Sequence, residues 1–219
     1  AQPCLMFGIT HSLVDDADHL LMTSTLRNPD VPFAPGTIAK ITIDNPPVLN
    51  WFIDTLTIPA ALQIREGLDC GSLPETPGCH LYGSHNTLEL ADGRLMVADT
   101  SNSRILWLNP PTSGSVAVVD DILSFNHPEW KTERYPNQVQ PLSFDDRDFL
   151  LITFKGSIDG DDNPTNFGSI VLWEITDPQR FTKVWTYPET GYLSAVHQGL
   201  VQETPEGSLL IYAHSYGAA

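Results

Sequence analysis

Apolar and polar positions alternate along this chain in a pattern that recurs four times. In its clearest copy, His85 begins a short alternating segment, an Asp-Gly pair follows, and the apolar run 95–97 comes next. Alternation with a period of two is typical of a half-buried β-strand, and an Asp-Gly pair between two such segments is typical of a tight hairpin. The other copies begin with a polar residue at His11, Gln140 and His197. The pattern therefore predicts four antiparallel hairpins.

Two more strands are predicted after each of the first three hairpins. The third strands are expected at 37–43, 104–108 and 169–175, and the fourth strands at 48–52, 116–119 and 183–187. No segment keeps a 3.6-residue apolar period over about ten residues, so very little helix is expected. The copies start roughly 55 to 75 residues apart, which is the length of a four-stranded antiparallel blade with generous loops. The predicted fold is therefore all-β, a β-propeller built from such blades.

The predicted blades lie at about 6–58, 80–123, 136–188 and 193–219. The last of them is incomplete, because it stops after two strands. An incomplete blade leaves a sheet edge open, and open edges invite pairing with other strands. We therefore expect one propeller domain or a fragment of a larger one, for example of about six blades. Missing blades or a partner chain would complete the ring.

Composition narrows the choice of partners. The 219 residues include 11 basic and 27 acidic side chains, which gives a formal net charge of −16. A field of that sign repels nucleic acid and anionic lipid surfaces. No apolar stretch approaches the ~18 residues that a membrane-spanning helix needs. The expected partner is a small-molecule or glycan ligand in the central channel, with no nucleic acid and no membrane span.

The chain contains three cysteines. Cys70 and Cys79 flank a loop rich in Pro and Gly, which suits a small closed ring, so we predict a disulfide between them. Disulfides are typical of oxidising compartments, and a secreted, periplasmic or extracellular location is expected. Cys4 is left over and is either free or paired outside this sequence. Zinc binding is disfavoured because no Cys-x-x-Cys pair is present.

The polar residues that begin the repeats are the first candidates for chemistry. His11, His85, Gln140 and His197 occupy one equivalent position, at the start of each innermost strand. Innermost strands line the channel of a propeller, so these side chains are expected to converge near one mouth and to bind an anion or a metal. The alternative is that each side chain satisfies a backbone group of the neighbouring blade and has no further role.

A second signal lies at the end of the second hairpin. The stretch 99–105 resembles the Asp-Thr-x-Asn-x-Arg-Ile signature of NHL-repeat propellers. In that family the aspartate and the arginine brace the blade by hydrogen bonds, and the resemblance implies this role for Asp99 and Arg104. Arg27 occupies a similar place in the first blade. A guanidinium beside a channel histidine is also suited to binding a sulfate or a carboxylate.

A looser resemblance extends over most of the chain. The blades, with His-x-x-Leu, an Asp-Gly turn, a Leu-rich strand and a late strand at 184–187, resemble those of arylsulfotransferase-type propellers. In that family a channel histidine accepts the sulfuryl group covalently. The resemblance implies candidate catalytic residues at His85, His197 and His11. It implies candidate anion-binding residues at Arg104, Asn86, Arg27 and Gln140. This chain does not reproduce the family's usual spacing of His, Asn and Arg.

One acidic loop suggests a cation. Asp159, Asp161 and Asn163 offer oxygen ligands at alternate positions, as calcium loops do. The loop lacks the glutamate that ends an EF-hand loop, so a solvated hairpin loop is the alternative. No cofactor is required by the residues, and calcium is the one candidate.

Three functions are compatible with these residues. The first is a secreted propeller with arylsulfotransferase-like group transfer through a channel histidine. The second is a non-catalytic extracellular propeller that serves as a binding or structural module. Its signs would be channel side chains bonded to backbone and an apolar blade edge covered by another chain. The third is a metal-dependent polysaccharide lyase, which requires a cation held by the channel histidines.

Overall fold

The computed structural model describes residues 9–14, 19–24, 36–71, 78–125, 133–156, 168–177, 180–189 and 196–215. The all-β prediction is confirmed: the described residues form antiparallel sheets of the kind that make the blades of a β-propeller, with a single short α-helix among them. The chain divides into two compact units, Ala1–Ser124 and Phe125–Ala219.

The first unit contains two blades. Blade 1 consists of β1 (Ile9–Val14), β2 (His19–Ser24), β3 (Thr37–Thr42) and β4 (Val48–Ile53), in that spatial order. Blade 2 contains β6 (Asn86–Glu89), β7 (Leu95–Asp99), β8 (Arg104–Asn109) and β9 (Val116–Ser124). Within each blade, every strand pairs antiparallel with the next one along the chain.

Period-two alternation places the core of the first unit between the facing surfaces of its two blades. Ile38 and Ile53 lie opposite each other on β3 and β4, and both are fully buried. They belong to one cluster with apolar residues of blade 2, among them Leu106, Leu108 and Val119. Burying each such side chain stabilises the fold by about 1.5–3 kcal/mol, so the packing of one blade on the next holds the unit together.

The repeat pattern did not predict the connection between the two blades. It contains β5 (Thr55–Thr57), which pairs in parallel with β9 and adds a fifth strand to blade 2. The helix α1 (Ala60–Glu66) follows and ends at Gly67, whose φ of 70° lies in the left-handed region. Arg65 then joins this helix to the blade by donating hydrogen bonds to the Asp121 carboxylate at 2.8 Å and the Ile122 carbonyl at 2.6 Å.

The second unit contains blade 3 and a further hairpin. Blade 3 consists of β10 (Pro136–Phe144), β11 (Arg147–Phe154), β12 (Ile170–Asp177) and β13 (Arg180–Tyr187) in sequential antiparallel order. The hairpin of β14 (Val196–Glu203) and β15 (Leu209–Ser215) follows. Buried apolar residues on one face of blade 3 pack against Val196 of that hairpin, namely Phe149, Leu151, Ile170 and Leu172.

The hairpin turn of blade 3 uses residues other than Asp-Gly. Phe144 and Arg147 form the last pair of β10 and β11, and Asp145 and Asp146 between them have φ angles of 54° and 55°. Positive φ at both central residues is the geometry of a type I′ turn, whose twist matches that of the flanking strands. Aspartate tolerates this region better than most residues, which explains how this degenerate repeat keeps a two-residue turn.

The predicted disulfide is confirmed. Cys70 and Cys79 are bonded, with their Cα atoms 5.5 Å apart. The bond closes the loop that follows α1, and the Cys79 side chain is buried.

Removing this disulfide should destabilise the protein by about 2–3 kcal/mol, because a cross-link around a loop of this length lowers the entropy of the unfolded chain by a corresponding amount. Urea unfolding of the Cys70→Ser/Cys79→Ser variant measures the effect. Wild-type protein unfolded in dithiothreitol should show the same loss. A double variant as stable as the oxidised wild type would contradict the prediction.

Candidate functional site

The innermost strand of blade 3 makes direct polar contacts with the innermost strand of the following hairpin. The side-chain oxygen of Gln138 accepts a hydrogen bond from the Gly199 backbone N–H at 2.7 Å. The side-chain oxygen of Gln140 accepts one from the Val201 N–H at 3.1 Å. Gln140 therefore contacts the backbone of the neighbouring blade, which is the alternative role that the sequence left open for it.

Strand register identifies a residue that the sequence analysis missed. The pairing of β14 with β15 shifts between Val196 and Gln198, so His197 lies at a bulge. The pairing of β10 with β11 shifts between Pro136 and Gln138 in the same way, so the residue at the corresponding bulge is Asn137. By this register Asn137, three residues before Gln140, corresponds to His197, because a β-bulge changes the register without altering the apolar pattern.

The side chain of Asn137 also forms a hydrogen bond with the backbone of β14. It is 1% exposed, and its amide nitrogen donates to the Val196 carbonyl at 3.4 Å. With Gln138 and Gln140, it gives three side chains of β10 that bond to the backbone of β14. The signal that could have found Asn137 is its place at the start of the strand, three residues before Gln140.

In blade 2 the predicted site residue is His85. His85 directly precedes β6, and its backbone N–H donates to the Ala98 carbonyl at 3.1 Å. The imidazole is half-buried, and the next residue, Asn86, is buried at 3% exposure. Both residues have interaction partners in the protein. A polar contact also joins the two blades of this unit, since the Thr23 hydroxyl donates to the Thr87 hydroxyl at 2.7 Å.

Arg104 lies at the centre of a buried network in blade 2. Its Nε donates to the Asp99 carboxylate at 2.8 Å, and both side chains are 2% exposed or less. The other Asp99 oxygen accepts the Tyr82 N–H at 2.7 Å, so the carboxylate also holds the loop before β6. The terminal nitrogens of Arg104 and Asn102 donate to the His80 carbonyl. These contacts are the bracing contacts that the NHL resemblance implies, and the anion-binding role of Arg104 stays a prediction.

An exposed ion pair lies at the opposite end of the same blade. The hydrogen bond from the Arg94 guanidinium lowers the pKa of the Asp92 carboxyl below its ordinary value, and the same bond raises the pKa of Arg94. Arg94 also contacts Asp120 of β9. The pair joins the β6–β7 turn to the outer strand.

Several predicted site residues lie partly or wholly outside what the structure describes. The backbone of His11 lies in β1 and that of His197 in β14, whereas their side chains lie outside what the structure describes. Arg27, Asp159, Asp161, Asn163 and Cys4 also lie outside the described residues. Their roles in catalysis, anion binding and calcium binding stay predictions.

Two properties of the described residues bear on metal binding and on membrane spans. Within them, no group of three or more His, Cys, Asp or Glu side chains is placed to hold a metal ion. The described part of the chain also contains no helix with the length and apolar character needed to cross a bilayer.

The similarity of this chain to known proteins lies in its structure. No family model and no curated protein matches the chain. The chain is similar in structure to a periplasmic gluconolactonase of Pseudomonas aeruginosa, with 12% identity and a TM-score of 0.47 over 92% of this chain and 63% of that one. It is also similar to a protein from Lactobacillus plantarum, with 15% identity and a TM-score of 0.44 over 95% and 64%. The chain thus spans less than two thirds of either structure, and at these scores the fold assignment rests on the sheets themselves.

Proposed function

We propose that this protein is a non-catalytic propeller-type module that binds a partner or ligand outside the cytoplasm. The observation that supports this proposal is the use of polar side chains on β10. Asn137, Gln138 and Gln140 all form hydrogen bonds with the backbone of β14. Side chains bonded in this way hold one blade against the next, and the amide atoms that form these bonds are committed to structure.

The disulfide supports the proposed location outside the cytoplasm. The bond between Cys70 and Cys79 persists where thiols are oxidised, which is the condition outside the cytoplasm. The net charge of −16 favours solubility in that setting. Together these features support a secreted or periplasmic module.

Sulfuryl transfer is the competing hypothesis, and one assay separates the two. Wild-type protein should not release 4-nitrophenol from 4-nitrophenyl sulfate above the rate without protein, with phenol present as acceptor. Turnover by the wild type that falls on both His85→Ala and His197→Ala substitution would overturn the non-catalytic proposal. A stoichiometric metal ion in the purified protein, bound through those histidines, would favour the lyase hypothesis instead.

The structural role of the β10 side chains has its own test. Gln138→Ala and Gln140→Ala should each lower the free energy of unfolding by about 1 kcal/mol, because each leaves a backbone N–H of β14 without its hydrogen-bond acceptor. The matched control is Gln202→Ala, which removes the same side chain from an exposed position on β14. Equal losses for the control and for the β10 variants, measured by urea unfolding, would contradict the role.

A further inference from the structure

The hairpin turn between β6 and β7 carries an Asp-Gly pair, Asp92-Gly93, on the surface of blade 2. The Asp92 side chain is 51% exposed. An aspartate rearranges most readily when glycine follows it, because glycine has no side chain to hinder the approach of its nitrogen to the carboxyl carbon. A surface turn with this pair is therefore a candidate site for a slow covalent modification, the conversion of aspartate to isoaspartate.

This conversion has two steps and needs no reactant other than water. The Gly93 nitrogen forms a bond to Cγ of Asp92, and the carboxyl O–H group and the amide hydrogen leave together as water, which gives a cyclic imide. Water then attacks the backbone carbonyl carbon of the ring and breaks its bond to the Gly93 nitrogen. The product is isoaspartate, whose main chain runs through the side-chain carboxyl and is one carbon longer. The first step is faster for a protonated carboxyl, because hydroxide is a better leaving group than oxide.

Arg94 holds both oxygens of this carboxylate. Its Nε donates to Oδ2 of Asp92 at 2.8 Å, and its backbone N–H donates to Oδ1 at 3.0 Å. The terminal nitrogen Nη2 lies 2.7 Å from Oδ2. The side-chain bond from Arg94, followed by the backbone bond, lowers the pKa of the Asp92 carboxyl, because both favour the ionised form. Neither oxygen can leave as water without giving up a bond to Arg94.

The backbone of the turn holds the attacking nitrogen as well. The Gly93 N–H donates to the Leu90 carbonyl at 2.9 Å, and the Leu90 N–H donates to the Arg94 carbonyl at 2.8 Å. The amide hydrogen that the reaction must remove is therefore already engaged. The guanidinium of Arg94 is itself fixed, because it also donates to the Asp120 carboxylate of β9 at 2.5 Å.

We propose that Asp92 is a latent site of isoaspartate formation and that the Arg94 side chain keeps it in the aspartate form. The guanidinium disfavours the protonated carboxyl by its charge and occupies the oxygen that would leave. Without it, the turn would gain one backbone carbon, and the neighbouring pair of Glu89 and Leu95 would lose its register. This inference concerns the durability of blade 2 and does not depend on the proposed binding role.

The test compares the rate of modification in wild type and Arg94→Ala during incubation at neutral pH for several weeks. Arg94→Ala should speed isoaspartate formation at Asp92 by about three- to fivefold, which is the size expected when an exposed ion pair is lost. Endoproteinase Asp-N cleaves before aspartate and not before isoaspartate. Mass spectrometry of the digest therefore gives the modified fraction at each time.

Two controls separate this effect from a general loosening of the protein. Arg147→Ala removes an exposed arginine beside the hairpin turn of blade 3 and should leave the rate at Asp92 unchanged. The other Asp-Gly pair of the sequence, Asp159-Gly160, is an internal reference. Its rate should be the same in wild type and in Arg94→Ala.

Two further samples test the parts of the arrangement. Asp120→Asn keeps the contact between Asp92 and Arg94 but weakens the anchor of the guanidinium, so it should give a smaller rise than Arg94→Ala. A free peptide of residues 88–98 should convert at least about tenfold faster than the folded protein, because the backbone hydrogen bonds of the turn are not fixed in it.

Three results would overturn the inference. The first is an unchanged or lower rate at Asp92 in Arg94→Ala or, if that variant does not fold, an unchanged rate in Asp120→Asn. The second is an equal acceleration in Arg147→Ala or at Asp159, since the cause would then be general loosening. The third is conversion of folded wild-type protein as fast as that of the free peptide.

Discussion

Asp99→Ala should lower the free energy of unfolding by about 3–5 kcal/mol, the largest loss expected for any carboxylate among the described residues. Asp99 is fully buried and accepts hydrogen bonds from Arg104 and from the Tyr82 backbone. Its removal leaves the Arg104 guanidinium, which is 1% exposed, as a buried charge without its counter-ion. Urea unfolding followed by circular dichroism measures the change.

Two further variants separate the effect of burial on the loss of stability from the effect of charge. Asp92→Ala removes an aspartate that also contacts an arginine of blade 2, but at an exposed turn where solvent screens the pair, so it should cost much less stability than Asp99→Ala. The double variant Asp99→Ala/Arg104→Met should be more stable than Asp99→Ala alone, because it no longer buries an unpaired charge. Equal losses for Asp92→Ala and Asp99→Ala would show that the buried network contributes little.

Gly168→Ala should destabilise the protein by at least about 2 kcal/mol and lower its thermal midpoint accordingly. A Cβ at this position would clash with the Phe154 carbonyl oxygen and would lie 3.2 Å from the Val196 nitrogen. Both are backbone atoms, one at the end of β11 and the other at the start of β14. They cannot rotate away, so the two strands themselves must shift.

Two other glycines provide a graded comparison. At Gly199 the nearest atom is the Thr153 methyl group at 2.7 Å, which belongs to a side chain that can move, so Gly199→Ala should cost less than Gly168→Ala. At Gly71 the nearest atom is 3.9 Å away, and Gly71→Ala should be close to neutral. Calorimetric scans of the three variants test the order, and a Gly168→Ala midpoint above that of Gly71→Ala would refute it.

The strands were predictable because their signal is local. The third and fourth strands of the first three blades begin and end within a few residues of the predicted positions, for example Thr37–Thr42 against 37–43 and Val48–Ile53 against 48–52. Each half-buried strand needs an apolar residue at every second position, and residues close together in the sequence are enough to show this pattern. The disulfide was predictable for a similar reason, since Cys70 and Cys79 are separated by one short turn-rich loop.

The unpredicted elements depend on long-range pairing. β5 has only three residues, and it exists because β9 offers a free edge about 60 residues further on. The equivalence of Asn137 with His197 depends on a bulge in each strand, which a one-residue change of register creates. Neither feature has a local period, so neither is visible in the pattern of apolar and polar residues.

The amino-acid sequence alone determined that the chain is all-β, that its strands form sequential antiparallel blades, and that two of its cysteines are joined. These properties follow from residue types close together along the chain. Only the tertiary structure decided what the polar residues do. It showed that Gln140 bonds to the backbone of the next blade, that Arg104 braces a buried carboxylate, and that Tyr187 is half exposed. The partner of a polar group is set by which strand lies beside it, and that neighbour comes from a distant part of the chain.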